Sequence, residues 1–113
     1  MRYRIKSSES FDKEVKRLAK RYRSLIDDVR GLCVELLANP TLGTDLGGGL
    51  RKVRMRIASK GRGKSGGARV ITYTVVMAMD ETTINLLYIY DKADRDSVSA
   101  TEIEELLRKN GLR

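Results

Sequence analysis

The chain has no histidine and no tryptophan, and only one cysteine, one proline and one phenylalanine among its 113 residues. Each scarcity closes a class of function. With Cys33 alone and no imidazole, neither the common zinc ligand sets nor a histidine-based catalytic triad can be assembled, so no metal or other cofactor is expected. A single cysteine forms no internal disulfide, and Cys33, set between Leu32 and Val34, reads as a small buried hydrophobe. With so few aromatics, burial has to come from Leu, Ile and Val. A long apolar run is missing as well: Arg2, Arg4 and Lys6 lead into a charged amphipathic stretch. Neither a signal peptide nor a membrane span is read there, and a cytoplasmic protein is expected. The length suits a single domain over residues 1–113.

Acid is also missing where it matters most. Between Leu46 and Met79 there is no Asp or Glu, while Arg51, Lys52, Arg54, Arg56, Lys60, Arg62, Lys64 and Arg69 all fall there. The net charge of +8 equals those eight cations, so the rest of the chain is balanced. A field concentrated in this way draws polyanions and favours nucleic acid or an acidic protein over a neutral small molecule. A merely solvating surface mixes its signs.

Periodicity supplies the elements. Residues 2–6 alternate as a short strand. Ser8 or Ser10 can cap a helix carrying Phe11, Val15, Leu18 and Tyr22 at helical spacing. Ser24, with Asp27 and Asp28, opens a second helix, whose stripe of Val29, Leu32, Cys33, Leu36 and Leu37 ends before Asn39-Pro40. Residues 39–49 are turn-rich and read as a loop. From Leu50 to Ala58, Val53, Met55 and Ile57 alternate with Lys52, Arg54 and Arg56, giving a strand with one cationic face. Residues 68–79 and 82–90 are β-rich, the second nearly continuously apolar and therefore covered on both faces or nearly so. Ser99 or Thr101 caps a last short helix with Ile103, Leu106 and Leu107. The order predicts an α+β domain: an N-terminal strand and helical hairpin, an antiparallel sheet of about four strands, helices on one sheet face, and a short C-terminal helix.

The segment from Lys60 to Arg69 alternates glycine with Lys and Arg. Its Gly63-Lys64-Ser65 is not a phosphate-binding P-loop, because Ala58 stands where the leading glycine belongs and strands rather than a helix follow. Glycines let a backbone approach a phosphate chain while long cations reach around it. The plainer alternative is a flexible solvated turn. The adjacent strand argues against it, since Lys52, Arg54 and Arg56 extend the charge into a continuous groove for an anion.

These residues carry a resemblance. The run Leu50-Arg51-Lys52-Val53-Arg54, the stretch from Ser59 to Tyr73, and Leu86-Leu87-Tyr88-Ile89-Tyr90-Asp91-Lys92 resemble the HigB-type branch of the RelE/ParE toxin superfamily, whose element order matches nearly the whole chain. The resemblance implies a RelE-like fold and a ribosome-dependent messenger-RNA endonuclease. It further implies a cognate antitoxin that neutralises the toxin and, in complex with it, binds operator DNA. An acidic helix or strand would suit the basic groove.

Such chemistry needs neither metal nor histidine. RNA brings its own 2′-hydroxyl nucleophile, so a protein has only to remove a proton, stabilise the phosphorane and protonate the leaving 5′-oxygen. A lysine crowded by cations releases its proton more readily, while an arginine stays charged. The expected site therefore has Lys60 and Lys64 as base or phosphate-orienting groups and Arg69 on the phosphorane. Lys52, Arg54, Arg56 and Arg62 hold the backbone, Tyr90 stacks on a base, and Lys92 and Arg95 stand close by. Each has a plainer counterpart. Tyr73, Tyr88 and Tyr90 fit a half-buried sheet stripe, and Lys92 and Arg95 fit a surface turn that balances Asp91, Asp94 and Asp96. The RelE pattern has a C-terminal tyrosine that is absent between Ser97 and Ala100, leaving the general acid to Lys92, Arg95 or water. Two other functions share the fold class: a ParE-like topoisomerase inhibitor and a non-catalytic nucleic-acid-binding module.

Overall fold

The computed structural model describes residues 2–61 and 66–113. Strand β1 (Arg2–Ser7) leads into helices α1 (Glu9–Arg21) and α2 (Leu25–Ala38). Strands β2 (Thr44–Gly47), β3 (Leu50–Met55), β4 (Ala68–Ala78) and β5 (Glu81–Asp91) follow, and α3 (Ala100–Lys109) closes the chain. The α+β class and the element types agree with the sequence pattern.

The sheet differs from expectation in two ways. Among the described residues it has five strands, ordered β1-β5-β4-β3-β2, and it is mixed, because β1 runs parallel to β5. The extra strand is β2, inside the segment read as a loop. All four of its residues are exposed, so no alternation announces it. It forms because Gly48 (φ 60°) and Gly49 (φ 86°) supply the two left-handed positions of a tight hairpin turn, pairing Gly47 with Leu50. The direction of β1 was not legible, since alternation specifies a strand without its neighbour.

Helix placement is also corrected, because the sheet is covered on both faces. Phe11 and Leu18 of α1 and Leu25, Leu32 and Leu36 of α2 pack with Val53, Met55, Val70, Ile84, Leu86 and Ile89 on one face. Ile103 and Leu107 of α3 pack with Leu50, Ile71, Leu87 and Tyr90 on the other. This explains the unbroken apolar run of β5, where Leu87 is an extra residue between the Ile71–Tyr88 and Thr72–Leu86 pairs. Ser8 caps α1 by accepting from the Phe11 N–H at 3.1 Å, and Ser99 and Glu102 form a reciprocal capping box on α3. Ser24 does not cap its own helix. Its Oγ accepts from the Ser59 N–H at 2.9 Å, while Asp28 accepts from the Ala58 N–H at 3.1 Å. The start of α2 thus holds the short 3-10 turn Ala58–Lys60 at the root of the basic segment. No described helix is long and apolar enough to cross a membrane.

Candidate nucleic-acid interface

The alternation of β3 buries Val53 and Met55 under α1 and α2 and turns Lys52 and Arg54 to the opposite face. Across the sheet Arg54 pairs with Arg69, and Arg69 pairs with Tyr90, while Lys52, Ile71 and Tyr88 form the next row. Two arginines directly opposite each other repel. Arg54 is exposed, whereas Arg69 is 5% exposed. The close approach of β3 and β4 here depends on Gly67, where a Cβ would stand 2.1 Å from the Met55 carbonyl oxygen. Arg56, just past β3, is exposed.

Tyr90 completes the row. Its ring lies in the α3-side core and is 1% exposed, with the Arg95 guanidinium 5.9 Å from the ring centroid. The expected stacking on a nucleobase is therefore corrected: the ring packs against α3 and Arg95 and offers no free face. Its hydroxyl is buried and finds no hydrogen-bond partner among the described residues. Burial pushes this phenol above its ordinary pKa, against the opposing pull of Arg69 and Arg95, so it remains protonated at neutral pH. Arg95 is held by both carboxylate oxygens of Glu102 at 2.8 Å and by the Ser97 carbonyl at 3.0 Å. Lys92 is half-buried, and its N–H continues the β4–β5 ladder to the Gly67 carbonyl at 3.1 Å.

The cationic row and the buried, protonated phenol thus stand side by side on adjacent strands. Residues 5–111 match the family model described as RelE toxin of RelE / RelB toxin-antitoxin system. The chain belongs to the RelE toxin family. It is the toxin half of a toxin-antitoxin system, a class that generally inhibits translation, and its partner is an antitoxin.

In this RelE-family toxin the sequence-derived residues separate into groups. Lys52, Arg54, Arg69 and Tyr90 come together on adjacent strands, with Arg95 over Tyr90. Lys60 lies apart from them. Its ammonium is 2.7 Å from Asp91 on the α1 side of the sheet and 5.6 Å from the Tyr22 ring centroid. Arg62 and Lys64 lie outside the described residues.

Sequence reasoning missed Asp91. It enters the sequence pattern only through the plainer alternative, a surface turn balanced by Lys92 and Arg95, yet it is completely buried. Its partners are Lys60, Tyr22 (2.5 Å), Arg21 (3.1 Å) and the Ala93 N–H (3.0 Å). Burial alone would raise its pKa, but the hydrogen bonds from Lys60, Tyr22 and Ala93 prevail and hold it down at about 2. Asp94 pairs with Arg21 and Arg17, and Arg95 with Glu102, so these two charges find partners outside the turn. The one available signal was position: a carboxylate directly ending an apolar strand is buried by its neighbours and needs counter-charges from elsewhere.

Proposed function

We propose that this toxin is a HigB-type, ribosome-dependent messenger-RNA endonuclease that inhibits translation by cutting without a metal, with the scissile phosphate on the Arg54–Arg69–Tyr90 row. The carrying observation is the Tyr90 hydroxyl: buried, protonated, without a partner among the described residues, and on the strand next to Arg69. An unsatisfied buried hydroxyl costs about 1–3 kcal/mol, and sites that carry such a cost tend to be those where a ligand completes the bond.

The chemistry divides among the residues. Lys52, Arg54 and Arg56 hold the RNA backbone. A base removes the proton of the 2′-hydroxyl, whose oxygen attacks phosphorus to give a cyclic phosphate. Lys64 is the assignment for that base, with Arg62 as a further RNA contact, both from the sequence reading. Arg69 stabilises the phosphorane, because a guanidinium stays charged and presents paired donors. Tyr90 donates its proton to the departing 5′-oxygen, with Lys92 beside it at the strand end. The substrate reaches Tyr90 by displacing Arg95, whose pair with Glu102 is partly exposed and inexpensive to break. Lys60, already paired with Asp91, supports the site rather than entering it.

The antitoxin is proposed to cover this face with an acidic segment, and operator DNA is bound only by the toxin-antitoxin complex in the cytoplasm. Expression of the chain in growing cells is expected to arrest growth and leave translated messages cut, with rescue by the adjacent open reading frame. Intact messages in arrested cells would sink the nuclease reading. An accompanying loss of supercoiling activity would then point to topoisomerase inhibition, and salt-sensitive RNA binding without cuts to a binding module.

A further inference from the structure

Strand alternation sends Tyr90 and Asp91 to opposite faces of the sheet, so the last residue of β5 couples the cationic row to what lies behind it. Asp91 is the meeting point of three segments. Lys60 reaches it from the 3-10 turn at the root of the basic segment, and Arg21 and Tyr22 reach it from the end of α1. Its own carbonyl accepts from the N–H groups of Asp94 (3.0 Å) and Arg95 (3.3 Å), and its side chain from that of Ala93. The turn that carries Lys92 and Arg95 is therefore wound around this one residue.

A buried carboxylate is costly unless fully paired, and a hydrophobic replacement of similar size commonly packs as well or better. This chain keeps the charge and spends two cations on it in a protein whose function draws on cations. We propose that Asp91 is a positioning residue for the cationic face, fixing through Lys60 the root of the basic segment and through the 92–95 turn the placement of Lys92. It touches no substrate. The assignment rests on the nuclease reading for its catalytic consequence, but its structural half stands without that reading.

Two measurements on the full-length toxin test it. The first is amide hydrogen exchange of Asp91→Asn against the native protein. Protection should fall at Lys60, Gly61 and Ala93 while Val70, Ile84 and Ile89 stay protected; unchanged protection at all three turn amides overturns the proposal whatever the protein's activity. The second is single-turnover cleavage of ribosome-bound message. Asp91→Asn and Lys60→Met should each lower the saturated rate at least ten-fold with less than three-fold change in half-saturation. The double variant should be no slower than Asp91→Asn alone, because Lys60→Met removes a linkage that Asp91→Asn has already broken. Lys60→Arg, which still pairs with Asp91, should recover most of the rate. Multiplicative losses, or a full rate in Asp91→Asn, contradict the proposal. A native protein that cuts nothing refutes the nuclease reading instead and leaves the exchange result to decide.

Discussion

At the scale of single residues, burial and charge assign different duties to neighbours in sequence. Tyr90 and Asp91 are both almost wholly buried, yet one keeps its proton and the other loses it readily. For Tyr90→Phe, which removes only the hydroxyl, a loss of cleavage rate on the order of 10²-fold is expected with stability unchanged or slightly improved, read by single-turnover kinetics and a melting curve. Asp91 governs acid stability. An unfolded Asp titrates near ~3.9, and the folded carboxyl binds its proton more weakly, with a pKa of about 2. Its contribution is therefore complete above about pH 4 and disappears as pH falls through the folded pKa, amounting to roughly 2–3 kcal/mol. Urea unfolding between about pH 5 and pH 2 checks this, since Asp91→Asn should flatten that portion of the profile. Gly67→Ala is expected to cost more than about 2 kcal/mol in the same assay, because the added Cβ overlaps the Met55 carbonyl and backbone must move.

At the scale of elements, what the sequence made legible follows from how local each signal is. The helices announced themselves through spacing and caps, and the Lys52–Arg54 alternation correctly oriented β3 because a strand's two faces are set by its own residues. Strand β2 was hidden because four exposed residues have no face to bury. The parallel pairing of β1, the placement of α3 on the second face and the burial of Asp91 depend on contacts far apart in the chain, which periodicity does not encode. Ser24 shows the same limit: composition marked it as a cap, but its oxygen serves the Ser59 amide 35 residues away. Ser24→Ala should therefore cost about 1 kcal/mol and raise amide exchange at Ser59 rather than fray the start of α2. Exchange localised to the first turn of α2 would speak against this assignment.

At the scale of the whole molecule, a balanced body carries an unbalanced strand pair. All of the +8 charge arises between Leu46 and Met79, and the structure spends Lys60 of that set internally while placing Lys52, Arg54 and the nearly buried Arg69 on the sheet face opposite α1 and α2. RNA affinity should accordingly fall steeply with salt, and Arg54→Ala should lower the log–log slope by about 0.7, as for one phosphate contact on a single strand. Cleavage of RNA bound at that face is the central proposal. The direct test is end-mapping of a defined message translated in a purified ribosome system, with the native toxin and Arg69→Ala side by side. The account predicts discrete cuts by the native chain and a loss on the order of 10²–10³-fold in the variant, as for removal of one transition-state donor. Equal cutting by a folded Arg69→Ala protein, or no cuts by the native one, would contradict it.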